Sequence, residues 1–581
     1  MSDYFNAGMR LYLDHLVDWR RLLALRGRDA ADVEAEVGAY RTLLETAAKL
    51  AESFEDDARE HWAAEAELTA GGGAQSPPHM RAAYQRLRET GLVALTVSEQ
   101  WGGYGLPALV NGIFLEMISR ADPSLMMVLG LQTGVASDIE RYGDDAIRRA
   151  YLPRFISGEI QGCMDLTEAQ AGSDLGGIVT RATDLPDGRV QVDGQKIYIS
   201  NGGAEVHLVL ARDAAGFEQS RGTTQGLSLV LVPRHLEDGS RNGVRVARLE
   251  RKMGIHGSAT CEVVFERAIG HRLGAAGQGF RAMLDLMNAA RLGVASQALG
   301  LCEAALHDAA SYAREREQFG KPIAEQPMVM AMLASMLIET EAVRALLYRT
   351  YRLLDLDLAR EAALAQAKLP ADRAAAMRAD LERDTARVRL LTPLCKYFAT
   401  ETCDRITRNA MQVFGGIGFT MDADVAKLHA DSLIMTVYEG TSEIQASFAL
   451  REIGKGGLAV VFSEIRAELA SMAEDPLRAR LAKRVEGMAD RVEQSIAVLF
   501  SDISYALLRA KLLTEMVIDV IASTELLQQV DADPDRLDIA EGYIASHAVK
   551  AEYLSQRIEE NADGLLERDA RLVARLTAQS S

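Results

Sequence analysis

Apolar and charged positions alternate at helical spacing over two stretches near the start of the chain, residues 1–68 and 80–160. Apolar residues that recur every three to four positions predict amphipathic helices. Between the two stretches, Gly71-Gly72-Gly73 and Pro77-Pro78 predict a loop. Residues 1–160 are therefore predicted to form a helical domain, with a helical extension over residues 1–68.

The pattern changes near residue 162, where short apolar runs begin to alternate with turn signals. The runs cover residues 190–192, 196–199, 206–210, 227–232 and 261–265. The turn signals are Asp187-Gly188, Asp193-Gly194, Asn201-Gly202-Gly203, Asp238-Gly239 and Asn242-Gly243. Turns this frequent between short strands predict an antiparallel sandwich or barrel over residues 161–275, and not alternating βαβ units.

Long amphipathic patterns return near residue 277 and continue to the end of the chain. Pro370 and Pro393 are predicted to break them, and Gly454, Gly456 and Gly457 mark a further boundary. The predicted fold class is α+β and mostly α. Its predicted parts are an N-terminal helical domain (1–160), a middle antiparallel β-domain (161–275), a helical domain (276–455) and an additional C-terminal helical domain (456–581).

The composition is globular, because 48% of the residues are hydrophobic and 25% are charged. This excludes a wholly disordered, collagen-like or fibrous chain. The chain has 64 Lys and Arg against 83 Asp and Glu, a formal net charge of −19. A protein this acidic is not expected to bind nucleic acid or an anionic membrane surface. Local arginines must bind any anionic ligand against the field of the whole protein.

The cysteines match no metal-ligand spacing, and their odd number argues against a disulfide framework. They are Cys163, Cys261, Cys302, Cys395 and Cys403. We therefore expect no metal site and a reducing compartment. No apolar run reaches the roughly 18 residues that a membrane-spanning helix needs, and the N-terminus has no signal-peptide apolar region. These patterns predict a soluble, cytoplasmic protein.

Five short clusters carry candidate chemistry, although each one alone also fits an ordinary turn, cap or solvated helix end. They lie at residues 166–174, 199–203, 314–322, 412–419 and 438–444. In the first, small residues and hydroxyl groups would let backbone N–H groups approach a ring carbonyl or a phosphate. In the second, an aromatic residue followed by a hydroxyl group could flank and hydrogen-bond a planar cofactor. The third offers two arginines near a helix end, which suit a phosphate, and the fourth offers glycines at a helix end.

The fifth cluster places Glu439 between Tyr438 and Gly440, after an apolar approach over residues 433–437. Apolar surroundings raise the pKa of a carboxyl group and allow it to act as a general base. An ordinary acidic residue at a helix start is the alternative interpretation.

A dinucleotide-binding βαβ unit is a competing interpretation of the N-terminal region. Residues 92–97 are apolar enough for a strand, Gly103-Tyr104-Gly105 follows, and Asp122 comes about 20 residues later. Residues 124–131 could then form another strand, whereas Ser124 could equally start a helix. The match is weak, because the last position of the motif is Ala108 and no series of βαβ units follows.

Together and in this order, the five clusters resemble the acyl-CoA dehydrogenase family of flavoproteins over about residues 80–455. Residues 412–431 resemble one family signature through Gly415, Gly416, Gly418, Asp422 and Lys427. Residues Thr167 to Asp174 resemble the other signature, with departures. Ala169 stands where proline is usual, Asp165 where a small residue is common, and Tyr198 where many members have tryptophan.

The resemblance implies a helical domain, a β-domain and a C-terminal four-helix bundle, with FAD bound partly across a subunit interface. It implies removal of the α-proton of an acyl-CoA as H⁺ and transfer of the β-hydrogen as hydride to flavin N5. Glu439 matches the base, and its backbone N–H would polarise the thioester carbonyl together with a ribityl hydroxyl of FAD. Some members carry the base at the position of Ala290, which has no acidic group here.

The resemblance also implies roles for the other site residues. The positions that match FAD contacts are Leu166, Thr167, Tyr198, Ser200, Arg316, Gln318, Phe319, Gln412, Gly416, Thr441 and Glu443. The positions that match substrate contacts are Ser173 and Arg291 for the CoA portion, with Tyr438 and Gly440 at the acyl group.

The N-terminal extension, the tail from about residue 456 and a charged insert near residues 355–388 resemble a long bacterial subgroup of the family. Its members tend to be homodimers, which we expect here. The tail has 14 Lys and Arg against 22 Asp and Glu, a net of −8, which argues against a membrane-bound helix with a basic face. An electron-transfer flavoprotein is the implied electron acceptor. An acyl-CoA oxidase and a non-catalytic FAD-binding protein are the alternatives.

Overall fold

The computed structural model describes residues 3–366, 369–560 and 564–578. The chain divides into two compact units. The first holds Tyr40–Glu315, Ile406–Met435 and the described part of Met1–Asn6. The second holds Ala7–Ala39, Arg316–Arg405 and the described part of Thr436–Ser581.

Most of the described chain is helical. The α-helices are α1 (Ala7–Leu11), α2 (Trp19–Leu25), α3 (Val33–Glu52), α4 (Glu55–Glu60), α5 (Pro78–Glu89), α6 (Ala108–Ala121), α7 (Pro123–Tyr142), α8 (Asp145–Ile156), α9 (Phe217–Ser220), α10 (Gly279–Glu315), α11 (Pro327–Gln366), α12 (Ala371–Phe414), α13 (Asp424–Ser432), α14 (Ser442–Gly454), α15 (Gly457–Ala470), α16 (Pro476–Leu499), α17 (Ile503–Ala532), α18 (Leu537–Glu559) and α19 (Leu565–Ala578).

The strands are concentrated between α8 and α10. They are β1 (Glu67–Leu68), β2 (Ala74–Gln75), β3 (Gly162–Asp165), β4 (Arg181–Asp184), β5 (Val190–Ser200), β6 (Val206–Asp213), β7 (Leu227–Pro233), β8 (Val244–Leu249), β9 (Thr260–Leu273), β10 (Glu317–Gln318) and β11 (Lys321–Pro322).

Helix α7 settles the competing interpretation of the N-terminal region. Asp122 caps this helix, and its carboxylate accepts hydrogen bonds from Ser124 N at 2.8 Å and Leu125 N at 3.1 Å. The helix start predicted at Ser124 is thus confirmed within one residue, and the strand at 124–131 is wrong. Residues 92–97 form turns and not a strand. Their apolar side chains are buried. A continuous apolar run without period-2 alternation does not by itself distinguish a strand from a buried turn or helix segment.

Seven strands of the first unit form the predicted middle β-domain. Strands β4, β5, β9, β7 and β6 each pair with the next, and β6 pairs back with β4, so these five strands close into a ring. Strand β3 adds to β6 and strand β8 adds to β9. Most pairs are antiparallel as predicted, but β3 and β4 pair with β6 in parallel.

Strands β6 and β7 are buried on both faces. Val209 and Val230 belong to a core of small and branched side chains within the β-domain. Leu208 and Leu229, their neighbours along the strands, belong to a second core with α7, α8 and the first turns of α10. This two-sided burial explains why both strands read as nearly continuous apolar runs.

Four long helices, α11, α16, α17 and α18, pack together in the second unit, and α14 and α15 pack beside them. Pro370 precedes the start of α12, as predicted. Pro393 lies inside α12, so the predicted break at that residue is wrong. Its neighbours Leu390, Leu391 and Leu394 are buried, and their burial outweighs the roughly 3 kcal/mol that a proline costs within a helix.

The predicted fold class is confirmed, with a helical N-terminal part, a middle β-domain, C-terminal helices and the additional helices α15 to α19. The four domain boundaries drawn from the sequence stay a prediction. All of the cysteines are free and buried. Among the described residues, no helix is both long and apolar enough to cross a membrane.

Candidate active site

Glu439 lies in a tight turn just before α14. Its φ is +55° and that of Gly440 is +96°, so two consecutive residues adopt left-handed backbone conformations. Such a conformation costs a non-glycine residue roughly 1–2 kcal/mol. Thr441 then caps α14, where its hydroxyl oxygen accepts a hydrogen bond from Ile444 N. The strained turn therefore places Glu439 two residues before the N-cap of α14, and the Thr441 cap fixes the start of that helix.

Two buried side chains hold this turn through its carbonyl groups. Lys396 Nζ, on α12, donates to the Gly440 carbonyl at 2.8 Å. Gln445 Nε2 donates to the Glu439 carbonyl at 2.9 Å and to the Gly440 carbonyl at 3.2 Å. Both side chains are fully buried, and a hydrogen bond from a charged donor is stronger than a neutral one. These bonds fix the direction of the turn, and the cluster at 438–444 gave no signal for Lys396.

The residues beside Glu439 have distinct surroundings. Tyr438 is half-buried, and burial, followed by the nearby Glu439 charge, raises the pKa of its phenol well above the usual value. Glu443 is exposed, and Lys511 Nζ donates to its carboxylate at 3.2 Å. Hydrogen bonding, first by its own backbone N–H and then by Lys511, lowers the pKa of Glu443.

The first unit holds the residues predicted to contact the flavin ring. The Thr167 carbonyl accepts a hydrogen bond from Ile197 N at 2.9 Å, which joins the segment after β3 to strand β5. Tyr198 on β5 is 62% exposed, with a φ of +59° at a break in the strand register. Ser200 ends the strand and Leu166 is buried.

These residues provide a donor set that suits a flavin. The Thr167 and Ser200 hydroxyl groups have no hydrogen-bond partner among the described residues, and both side chains are half-exposed. They lie on paired segments that also carry the exposed ring of Tyr198. Free hydroxyl groups beside an exposed aromatic ring can bind the edge and face of a planar, polar cofactor.

Lys196 and Glu168 are hydrogen-bonded to each other beside these residues, and neither was predicted as a site residue. Lys196 Nζ donates to Glu168 Oε1, the Leu166 carbonyl and the Leu210 carbonyl, each at 2.8 Å. Glu168 also accepts hydrogen bonds from Val179 N at 2.8 Å and Thr180 N at 3.0 Å. Burial alone would raise the pKa of Glu168, but Lys196 and these donors lower it. The network fixes the loop that carries Leu166 and Thr167.

A second buried cluster supports β3 from within the β-domain. Cys163 and His207 are paired residues of β3 and β6, with Cys163 Sγ 3.0 Å from His207 Nδ1. Asp165 Oδ2 lies 3.1 Å from the same nitrogen and 3.2 Å from Cys163 Sγ. Linear spacing had not linked these residues, because their proximity depends on strand pairing. Cys163 Sγ, Asp165 Oδ2 and His207 Nδ1 lie within hydrogen-bonding distance of one another, whereas the buried His207 Nε2 has no hydrogen-bond partner among the described residues.

The predicted CoA contacts differ in burial. Ser173 is exposed in the loop that follows Glu168. Arg291 on α10 is 4% exposed, and its Nη1 donates to Asn288 Oδ1 at 2.8 Å. Ala290, next to it, is half-buried.

Arg316, Gln318 and Phe319 lie on the hairpin formed by β10 and β11. Phe319 and Gly320 have φ values of +54° and +80°, as a two-residue hairpin turn requires. Phe319 is 94% exposed, and Arg316 and Gln318 are exposed as well. An aromatic ring presented at the tip of a hairpin is suited to a partner or ligand outside this chain.

Gln412 and Gly416 lie at the end of α12 and in the 3₁₀ turn Gly415–Phe419 that follows it. Both residues are exposed. Helix α13 comes next, and residues of the predicted N-terminal extension hold it. Arg59 binds Asp424 at 3.2 Å and Asp308 of α10 at 2.9 Å, and Lys427 Nζ donates to the Arg59 carbonyl at 3.0 Å.

Asp431 is the final residue of the second signature segment, and it is fully buried. Trp62 Nε1 donates to its carboxylate at 3.0 Å, and Ile255 N donates to its other oxygen. Burial raises the pKa of Asp431 to about 7. Arg59, Trp62 and Asp431 had no predicted role, because no pattern along the chain indicates that residues 59–62 contact the signature segment.

Each unit therefore brings together its own share of the predicted residues. The first joins Leu166, Thr167, Tyr198 and Ser200 at one edge of the β-domain. The second joins Tyr438, Glu439, Gly440, Thr441 and Glu443 in one capped turn and places Arg316, Gln318 and Phe319 on one hairpin.

Comparison with known proteins identifies the family. The acyl-CoA dehydrogenase N-terminal domain matches residues 42–159, the middle domain residues 163–268, and the C-terminal domain residues 277–382 and 361–454. The 3-methylmercaptopropionyl-CoA dehydrogenase of Ruegeria pomeroyi is 31% identical over 532 residues, which cover 84% of this chain and 87% of that protein. This relative agrees with the long bacterial subgroup predicted from the sequence.

Two solved structures are similar in fold. An acyl-CoA dehydrogenase from Bacillus anthracis in complex with FAD has a TM-score of 0.73 at 21% identity, and the match covers 92% of this chain and 90% of that one. A chain described as an electron transferring flavoprotein of Acidaminococcus fermentans has a TM-score of 0.60 at 27% identity, with 71% and 97% covered. The chain belongs to the acyl-CoA dehydrogenase family, oxidoreductases that use FAD to oxidise acyl-CoA substrates.

Proposed function

We propose that Glu439 is the base that removes the α-proton of the acyl-CoA substrate. The strained turn at Glu439 and Gly440, fixed by Lys396 and Gln445, is the observation that carries this proposal. Strain of this kind persists only where the surrounding structure over-determines it, and it is concentrated at functional sites. The alternative base position is Ala290, which has no acidic group.

The α-proton is weakly acidic, so the thioester carbonyl must be polarised while the proton leaves. We assign this role to the backbone N–H of Glu439, because donors that are fixed before the reaction stabilise the developing enolate charge. The carbonyl groups of the same turn are hydrogen-bonded to Lys396 and Gln445, which sets the plane of the peptide groups. FAD, when bound, would supply the acceptor for the β-hydrogen as hydride at N5, so the product would be a 2,3-enoyl-CoA.

Separate sets of residues are proposed to hold different portions of FAD. Leu166, Thr167, Tyr198 and Ser200 are proposed to bind the flavin ring. The remaining contacts, proposed for the adenine and pyrophosphate portion, come from Arg316, Gln318, Phe319, Gln412, Gly416, Thr441 and Glu443. Phe319 is almost fully exposed, which supports binding across a homodimer interface. Light scattering after size-exclusion chromatography tests the dimer, and a tetramer would contradict it.

Ser173 and Arg291 are proposed to hold the CoA portion, and Tyr438 and Gly440 to contact the acyl group. Both CoA and FAD are polyanions, so Arg291 and Arg316 must supply local positive charge in a protein with a net charge of −19. The acyl group is best identified with a panel of short, long, branched and thioether acyl-CoAs, using an artificial electron acceptor.

The proposed electron acceptor is an electron-transfer flavoprotein, and the proposed location is the cytoplasm. A similar solved chain is described as an electron transferring flavoprotein, which supports the proposed electron acceptor. An acyl-CoA oxidase is the alternative, and it differs only in that O₂ reoxidises the reduced flavin. Anaerobic reduction with substrate followed by admission of air distinguishes the two, because rapid reoxidation with release of peroxide would favour the oxidase.

Substitution of the base is the decisive experiment. We expect Glu439→Gln to lower the rate of acyl-CoA-dependent flavin bleaching by about 10²- to 10⁴-fold, the usual contribution of general base catalysis, with FAD content unchanged. Glu474→Gln, at an exposed position of the tail, is the matched control and should bleach at the wild-type rate. Normal bleaching in the Glu439 variant would overturn the assignment and favour a different base.

A further inference from the structure

Three helices of the C-terminal tail meet at a cleft of about 340 Å³. Arg509 from α17, Arg557 from α18 and Arg568 from α19 line it, together with Leu508, Leu565 and Asp569. Asp569 is the one carboxylate among these six residues. Its Oδ1 accepts hydrogen bonds from Arg568 Nε and Nη2 at 3.0 and 2.9 Å. The lining therefore carries three positive charges and one negative charge.

Neither Arg509 nor Arg557 forms an ion pair with any described residue. Acidic residues outnumber basic ones in this segment, 22 against 14, and carboxylates pair with most of the arginines on α15 and α16. Examples are Arg466 with Asp490 at 2.9 Å, Arg480 with Glu541 at 3.0 Å and Arg491 with Glu552 at 3.2 Å. Within the described part of the chain, the two arginines that face the cleft thus lack an acidic partner, as do Arg484 and Arg575, whereas most arginines of the tail have one.

Tyrosines position the two unpaired guanidinium groups. Arg509 lies over the Tyr505 ring at 5.6 Å, and its Nε is 3.4 Å from the Tyr505 hydroxyl. That hydroxyl donates to the Ile558 carbonyl at 2.6 Å, and Tyr505 is buried. Arg557 lies 5.7 Å from the Tyr553 ring. Contacts with the face of an aromatic ring orient a guanidinium group while its N–H donors stay available.

We propose that this cleft binds a small phosphorylated anion that carries at least two negative charges, with a diphosphate group as its recognised part. Guanidinium groups match phosphate oxygens with paired N–H donors, and an anion relieves the repulsion among the three arginines. The volume falls within the range of small-molecule sites, roughly 300–1,000 Å³. The family models end at residue 454, so this site lies outside the matched family domains, and its lining shares no residue with those assigned to catalysis.

The test measures binding of pyrophosphate and of ADP to the FAD-loaded enzyme by calorimetry at fixed ionic strength. We expect saturable binding of at least one of them, weakened about tenfold or more in Arg557→Ala and in Arg509→Ala. Preference for ADP would indicate a nucleotide, and equal affinity would indicate the diphosphate alone. Arg571→Ala is the matched control, because Arg571 is an exposed arginine of α19 outside the lining, and it should bind as the wild type does.

Two results would overturn the proposal. One is the absence of saturable binding, or binding that both cleft variants leave unchanged, which would place the anion elsewhere. The other is a loss of FAD from the cleft variants, which would assign these arginines to the flavin. Arg557→Lys keeps the charge without the paired donors, so affinity between those of the wild type and Arg557→Ala is expected if guanidinium geometry contributes.

Discussion

Lys196 Nζ and Glu168 Oε1 lie 2.8 Å apart, and the two side chains are 0% and 3% exposed. The same ammonium group donates to the carbonyls of Leu166 and Leu210. One buried lysine on β5 therefore joins β6 to the segment after β3 that carries the proposed flavin contacts. Removing it would leave a buried carboxylate without its counter-charge.

We expect Lys196→Met to lower the free energy of unfolding by about 3–5 kcal/mol, the cost of breaking a buried ion pair on one side. The loop at Leu166 and Thr167 should loosen as well, so the variant should retain less FAD after gel filtration. Denaturant unfolding and the ratio of flavin to protein absorbance measure the two effects. Lys483→Met, at an exposed site, should change neither, and a Lys196 variant with wild-type FAD content would contradict the positioning role.

Gly440 offers a sharp test of the turn that holds Glu439. A Cβ at this residue would lie 2.7 Å from Gln445 Nε2, so Gly440→Ala must displace the amide that binds the Glu439 and Gly440 carbonyls. We expect kcat to fall by at least about tenfold, since roughly 1.4 kcal/mol of lost positioning is sufficient for that change. Steady-state kinetics with a saturating acyl-CoA provides the measurement.

Gly456→Ala is the matched control for this variant. Gly456 has a similar φ, +91° against +96°, but a Cβ there would meet no atom within 4 Å. Both variants should lose about 1–2 kcal/mol of stability through backbone strain, and only Gly440→Ala should lose activity. Equal kcat values for the two variants would mean that the Gln445 contact has no catalytic effect.

Arg59 should stabilise the segment proposed to bind the adenine portion of FAD. It binds Asp308 and Asp424, and its carbonyl accepts from Lys427. We expect Arg59→Ala to cost about 3 kcal/mol of stability, because it leaves several partly buried acids without a counter-charge, and to weaken FAD binding. Fluorescence titration of the apoprotein with FAD measures the affinity. Glu60→Ala, its exposed neighbour, should stay within about 0.5 kcal/mol of the wild type.

Asp431 predicts a dependence of stability on pH. Burial raises its pKa to about 7 in the folded chain, whereas an unfolded aspartate titrates near 4. The native state then binds more protons than the unfolded state between these values. The free energy of unfolding should therefore fall as pH rises from about 4 to about 7, by up to ~4 kcal/mol for this group. Above about pH 7 the titration of Asp431 should lower it no further.

Asp431→Asn should remove this dependence, so the difference in unfolding free energy between the variant and the wild type should change with pH in the same window. Asp422→Asn, on the exposed part of the same segment, should follow the wild-type profile. Urea unfolding at pH 5, 6, 7 and 8 provides the measurement. Parallel profiles for the wild type and Asp431→Asn would show that Asp431 is ionised throughout.

Local patterns in the sequence were sufficient to predict most of the secondary structure. Helical spacing and closely spaced turn signals are local properties, so they distinguished the helical parts from the β-domain. The order of the five clusters, which resemble a known family, identified the chemistry and the cofactor, as the comparisons confirm. Glycines and prolines marked the ends of helices where no burial opposed them, as at Pro370 and Gly454.

Only the tertiary structure decided the features that depend on burial and on residues distant in the sequence. Pro393 stays within a helix because buried leucines on α12 outweigh its cost, and residues 124–131 are helical because Asp122 caps them. Lys396 meets Gly440, Lys196 meets Glu168 and Trp62 meets Asp431 across separations of 28 to 369 residues. A hydrogen bond or an ion pair requires proximity in space, and one sequence gives no distance between segments that are brought together only by folding.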